Sequence, residues 1–409
     1  MPDVKGTVVK GTVAPGFEPV ADAFAANFAE HGEVGAACCV HRDGRPIVDL
    51  WGGQADAATG RPWDADTPVL VFSTTKGFTA VCIHVLVERG LLDVDAPVAS
   101  YWPEFAAHGK GDIPLRWVLC HKAGVAAVDA PVTMDDVVGW DGVVAAVAAQ
   151  APNWEPGTAH GYHARTFGWI LGEVVRRVTG RSLGQFLADE VATPLGLDLW
   201  VGLPDTVEPA LAPVIAPEPP PDEESRALME QLMGSDTLLG RVMSGPGNLF
   251  AYDERWNTRP FHQAEMPSSN GVATARAVAR LYAATVGEVQ GPSGPLSGQQ
   301  GPSGPLSGQR GVRLLRSDTI AAATAVQSDG PDTVLVLPTR FGLGFALPPM
   351  LGADTPSTAF GHPGAGGSLG FADAEAGLGF GYVMNRMKLG VTGDERSAGL
   401  VRALYDCLD

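Results

Sequence analysis

Strand-like segments lie at the two ends of this 409-residue chain and helical segments lie between them, so any sheet has to be assembled from both termini. Near the start, Val34 to His41 is small and apolar, Asp43-Gly44 is a turn signal, and Pro46 to Trp51 is apolar again, which predicts a β-hairpin. Gly52 to Pro68 reads as a loop rich in Gly, Asp and Pro. Toward the end, Thr333 to Leu337, Gly370 to Ala372 and Leu378 to Met384 read as strands. Helices are expected at both termini. Val20, Phe24 and Phe28 fall at i, i+4 and i+8 before a His31-Gly32 stop, and Arg396 to Cys407 closes the chain.

Between these ends the period changes. From Ser73 onward Phe78, Val81, Cys82, Val85 and Leu86 share one helical face, and Gly90 closes the segment. Phe167, Ile170, Leu171, Val174, Val175 and Val178 form the clearest amphipathic stripe, and Thr274 to Ala284 is another helix. Residues 291–310 are a tandem decamer, GPSGPLSGQQ then GPSGPLSGQR, whose composition predicts a flexible insert. The expected fold class is therefore α+β. Residues 1–75 and 311–409 form an α/β sheet region with an antiparallel sheet flanked by terminal helices, 76–290 a mostly helical region, and 291–310 the tandem-repeat insert.

Composition bounds the function. A net charge of −18 repels phosphate backbones and argues against a nucleic-acid partner. No apolar run approaches the length of a membrane span, and Met1 to Pro15 carries no apolar leader core. Cys38, Cys39, Cys82, Cys120 and Cys407 are odd in number and unpatterned, which suits reduced thiols and a cytoplasmic location. His160 and His163 lack a cysteine or carboxylate to complete a zinc set, so neither a metal nor an organic cofactor is expected.

Two segments match G-x-S-x-G, a strand-to-helix nucleophile turn in one hydrolase class. Gly180-Arg181-Ser182-Leu183-Gly184 follows a helix, so Gly180 reads as its stop and Ser182 as the cap of the next. Gly366-Gly367-Ser368-Leu369-Gly370 precedes a strand, not a helix. Ser73-Thr74-Thr75-Lys76 is more informative. Residues three apart at a helix start share a face, so the lysine amine can reach the serine hydroxyl. A serine needs a base to take its proton, and lysine can serve only where burial or a cationic neighbour keeps it neutral. The apolar lead-in Val69-Leu70-Val71-Phe72 supplies such surroundings.

The stretches VFSTTKGFTA, YWPEF, VLCHKAGV, PGTAHGYHARTFGWILGEV and PLGL resemble the serine β-lactamase-like esterases. These family VIII carboxylesterases belong to the penicillin-recognising superfamily, with class C β-lactamases and D-amino-acid-specific peptidases. The likeness runs from about Gly44 to Leu203, resumes at PSSNGVATARAVARLYAA, FGHPGAGGSLGFAD and GFGYVMNRM, and lapses over 206–240 and the decamer.

The resemblance implies a β-lactamase/transpeptidase-like fold, Ser73 as the acylated residue, Lys76 as its proton partner and Tyr162 as a proton shuttle. Tyr162-His163-Ala164 lacks the family's third-position Asn, which argues against β-lactam specialisation. His362-Pro363-Gly364 stands where lactamases carry Lys-Thr-Gly, so an uncharged ester fits better than an acid. The Ala365 N–H is expected to join that of Ser73 in an oxyanion hole, with His362, Gly364 and His163 lining the substrate. His121 reads as structural, and Trp51, Trp63, Trp102, Trp154 and Trp256 as core or pocket walls. The implied activity is carboxylester hydrolysis of a small-molecule substrate through a Ser73 acyl-enzyme. Acyl transfer to an alcohol or amine, amidase, D-peptidase or weak β-lactamase activity, and a catalytically silent binding module are the alternatives.

Overall fold

The computed structural model describes residues 7–290, 311–390 and 393–408, so the tandem decamer lies outside the described residues. The main sheet is antiparallel and draws on both ends of the chain. Its order is Lys10–Val13, Arg45–Asp56, Gly35–Arg42, Leu378–Met384, Leu369–Asp373, Ala359–Pro363. The hairpin around Asp43-Gly44 forms its middle, with Gly35–Arg42 paired to Arg45–Asp56 on one side and to Leu378–Met384 on the other. Leu378–Met384 is buried along its whole length, and only Arg42 of Gly35–Arg42 is exposed, because layers cover both faces. Such strands read as continuous apolar runs, with no alternation.

The helix Ala275–Val286 lies on one face. A Cβ at Gly379 would fall 2.2 Å from Ala279 O and one at Gly381 2.5 Å from Ala275 O, so glycine there lets helix and strand backbones touch. Helices Glu18–Glu30 and Glu395–Asp406 cover the other face, gathering Phe24, Phe28, Leu400 and Leu404 with Phe371 and Phe380. Beneath them Arg396 and Glu33, both fully buried, pair at 3.1 Å, and the Tyr382 hydroxyl donates to Glu33.

The inserted part is helical. Thr75–Glu88 is buried from Thr75 through Leu86, and Thr166–Thr179 packs against it. Thr166–Thr179 ends at a left-handed Gly180, and Ser182 Oγ accepts the Gln185 N–H, so that G-x-S-x-G segment is a helix stop followed by a cap.

Two expectations need correction. Thr333 to Leu337 is a turn, because Asp332 accepts the Val334 and Leu335 N–H groups at 2.8 Å each and draws the chain back on itself. The strands there are Ser328–Pro331 and Pro338–Phe341, which pair with each other. Gly52 to Pro68 is not all loop: the hairpin strand continues through Asp56, and Arg61–Pro62 pairs back onto it. Among the described residues no helix is long and apolar enough to cross a membrane.

Candidate active site

The short strand Val69–Leu70 pairs with Val272–Ala273 and delivers the chain to Phe72. Phe72 adopts a left-handed φ of 45°, unfavourable for a bulky residue, and its ring is held edge-on by Tyr252 (5.5 Å) and Trp256 (5.0 Å). That reversal sets Ser73 in a 3-10 turn (Phe72–Thr74) at the mouth of Thr75–Glu88, 8% exposed.

Lys76 lies one turn on and is fully buried. Its Nζ is 3.5 Å from Ser73 Oγ and donates to Ala164 O at 2.9 Å and Ser268 O at 3.0 Å. The Tyr162 ring centroid is 4.6 Å away. Burial first, and the Arg165 charge second, push the Lys76 amine well below the ordinary lysine range. The other titratable side chains around it are Tyr162, His121, His163 and His362, and burial pushes all three histidines down, His163 to about 4 and His362 to about 3. Lys76 forms no ion pair with a carboxylate among the described residues.

Tyr162 is held from behind. Its N–H donates to Asp332 Oδ1 at 3.1 Å, and its ring packs against His121, Phe341 and His362. Burial raises its hydroxyl above the usual tyrosine range, against a smaller lowering by the Ser73 hydroxyl, so it keeps its proton at neutral pH. His163, expected to line the pocket, has both ring nitrogens engaged. Nδ1 donates to Gly161 O at 2.7 Å and Nε2 accepts the Val125 N–H at 3.1 Å. His121 Nδ1 accepts the His163 N–H, so these two rings brace Tyr162.

His362 is the penultimate residue of the edge strand Ala359–Pro363. Its Nδ1 donates to Pro363 O at 2.7 Å, which leaves Nε2 a buried acceptor with no partner among the described residues, and the ring is neutral. Gly364 follows at a close approach, where a Cβ would fall 2.1 Å from Ser368 Oγ and 2.3 Å from Val71 O. Ser368, in the second G-x-S-x-G match, is a strap. Its Oγ donates to Val71 O at 2.8 Å, its carbonyl accepts the Gly364 N–H, and together they tie the Ala365 turn to the chain entering Ser73. The Ala365 N–H has no acceptor among the described residues. Of the tryptophans, Trp63, Trp102 and Trp256 are core, while Trp154 packs edge-on against His163.

Sequence reasoning did not find Arg165, Ser268 or Ser269. Arg165 is 3% exposed and sits among the rings of Phe250, Tyr252 and Trp256 at 5.2, 5.9 and 5.3 Å. A charged residue directly before the strongest apolar helix was the available signal. No three His, Cys, Asp or Glu side chains converge as a metal site among the described residues.

The Beta-lactamase family model matches residues 20–404. Esterase/beta-lactamase LipL of Mycobacterium tuberculosis (strain ATCC 25618 / H37Rv) is 37% identical over 391 residues, 93% of this chain and 84% of that protein. The crystal structure of a family VIII carboxylesterase superposes with a TM-score of 0.82 at 39% identity, over 98% of this chain and all (100%) of that one. EstA from Arthrobacter nitroguajacolicus Rue61a gives a TM-score of 0.82 at 30% identity, covering 97% of this chain and 98% of that one.

Proposed function

The chain belongs to the Beta-lactamase family and is a serine hydrolase, and we propose that it is a carboxylesterase acting on small-molecule esters through an acyl-enzyme on Ser73. The observation that supports this most strongly is the setting of Lys76. A free amine has two N–H donors and one lone pair. With its donors directed at Ala164 O and Ser268 O, the lone pair is left for the Ser73 hydroxyl 3.5 Å away.

Ser73 Oγ attacks the ester carbonyl carbon as its proton passes to Lys76 Nζ. The N–H groups of Ser73 and Ala365 stabilise the tetrahedral oxyanion. The C–O bond to the alcohol breaks as the Tyr162 hydroxyl protonates the leaving oxygen, and Tyr162 regains a proton from Lys76. Water then attacks the acyl carbon while Lys76, through Tyr162, accepts its proton. The carboxylic acid departs and Ser73 Oγ is reprotonated. Burial raises the Tyr162 hydroxyl and, with the Arg165 charge, lowers the Lys76 amine, which favours the lysine as first base and the tyrosine as relay.

The neutral His362 and the alanine at 164 favour an uncharged ester over a β-lactam acid. Free, mostly buried cysteines suit a reducing cytoplasm.

The test compares kcat/KM on nitrophenyl esters and a chromogenic cephalosporin for wild type, Ser73→Ala, Lys76→Ala and Tyr162→Phe. We expect clear ester turnover, little cephalosporin turnover, and losses of about a thousandfold or more in each variant. Wild-type ester turnover in Ser73→Ala, with fluorophosphonate labelling intact, would remove the proposal.

A further inference from the structure

We propose that an apolar chamber beside Ala365 is the acyl-chain pocket and that it selects acyl chains of about six carbons. The inference rests on the reading of Ser73 as the acylated residue.

The chamber has a volume of about 180 Å³, and Ala365 and Gly366 are among its lining residues. Tyr252, also in its wall, is the residue whose ring meets Phe72, next to Ser73. A carbonyl carbon at Ser73 Oγ with its oxygen on the Ala365 N–H therefore has one substituent directed into the chamber. That substituent is the acyl chain. The leaving oxygen has to meet the Tyr162 hydroxyl to be protonated, and Tyr162 is not part of the chamber wall.

The wall chemistry fits an alkyl chain. Met229, Met233, Leu239, Met243, Leu335 and Leu337 line it, with Lys388 the one charged residue among the lining. Methionine is unbranched and adapts to irregular contents, so this wall closes on a flexible chain without demanding a fixed shape. A cavity of about 150 Å³ lined by aliphatic side chains admits benzene, which sets the capacity here at about six to seven carbons.

Leu335 and Leu337 project from the turn that Asp332 folds. Met229 and Met233 belong to the helix Glu223–Met233, none of whose residues is buried, and which leaves Leu228 and Leu232 55% and 47% exposed. That helix falls in the 206–240 stretch where the family motifs lapse, so this part of the wall is not dictated by the family pattern.

The experiment varies the acyl chain from acetate to dodecanoate at a constant nitrophenyl leaving group, then varies the alcohol at constant hexanoate. Wild-type kcat/KM should rise about fourfold per methylene up to hexanoate or octanoate and then fall. Met229→Trp and, from a separate segment of the lining, Leu335→Trp should each lower the octanoate-to-acetate ratio of kcat/KM by about tenfold or more. A flat acyl series, a ratio unmoved by both tryptophans, or a dependence on alcohol length instead would overturn the assignment. Labelling of Ser73 by alkyl fluorophosphonates of increasing chain length reads the chamber separately from ester turnover. Chain-dependent labelling without turnover would sink the carboxylesterase reading and leave the pocket standing.

Discussion

Arg165 and Lys76 converge on a single oxygen, the carbonyl of Ala164. Lys76 Nζ donates to it directly at 2.9 Å. Arg165 reaches it through Ser269, whose Oγ accepts from Arg165 Nη1 at 2.7 Å and donates to Ala164 O at 3.3 Å. Ser268 closes the frame, its carbonyl accepting Lys76 and its Oγ donating to Arg165 O at 3.1 Å. Arg165 forms no ion pair with a carboxylate among the described residues and is held by ring faces instead. Guanidinium does not titrate in the working range, so a permanent buried cation stands at one end of this relay and opposes a second at the other.

Removing that charge should let Lys76 keep its proton to higher pH. The amine must be neutral to act as a base, so activity is present above its folded pKa and lost as pH falls through it. Arg165→Met should move the acidic limb of the kcat/KM profile upward by about one pH unit or more. Arg165→Lys, which retains a cation, should leave the limb near its wild-type position while lowering kcat. Profiles from about pH 5 to about pH 10 decide it. A limb unmoved in Arg165→Met would reduce Arg165 to a packing residue.

The same depressed amine has a signature in stability. The unfolded lysine holds its proton up to its ordinary range near 10.5, whereas the folded one releases it far below. Between those two values the unfolded chain binds the extra proton, so stability rises with pH. Relative to Lys76→Met, the wild type should gain about 1.4 kcal/mol for each pH unit across that window. Urea denaturation of both proteins at about pH 7 and about pH 9 measures the difference. A gap equal at the two pH values would mean that Lys76 is protonated in the fold, which removes its role as base.

What the sequence made legible follows from how local each signal is. The hairpin around Asp43-Gly44 needs only a turn and two apolar runs, and Thr166–Thr179 needs only its own stripe, so both could be read directly. The Ser73–Lys76 spacing is also local. The environment that makes Lys76 interesting is not, because Ala164 and Ser268 act through carbonyl oxygens, which no side-chain pattern reveals. The rings around Arg165 come from 250–256, brought in by tertiary folding. Thr333 to Leu337 misled because Val and Leu signal strand, while one carboxylate, Asp332, folded the segment by accepting its N–H groups and then also took the Tyr162 N–H. The turn that defeated the strand reading thus positions Tyr162.

The buried Glu33–Arg396 pair links this chemistry to the rest of the fold. Arg396 Nη1 meets both Glu33 oxygens at 3.1 Å, while Nη2 donates to Asp394 Oδ2 at 2.8 Å and to Gly366 O at 2.5 Å. Gly366 follows Ala365, so one guanidinium ties the C-terminal helix, the sheet underside and the oxyanion turn together. Glu33 is pushed above the usual carboxylate range by its burial, against the pull of Arg396, so it depends on this partner. Removing one member strands the other in a dry site, and Arg396→Met or Glu33→Met should each lose about 3–5 kcal/mol in urea denaturation. The double variant Glu33→Met/Arg396→Met should lose less than the sum of the singles, because neither Glu33 nor Arg396 is then left without the other, and only Asp394 still loses a partner. Arg396→Met should also lower kcat more than Glu33→Met does, since Arg396, and not Glu33, donates to the Gly366 carbonyl. Single variants within about 1 kcal/mol of wild type, or equal effects on kcat, would show that the turn beside Ser73 does not depend on this pair.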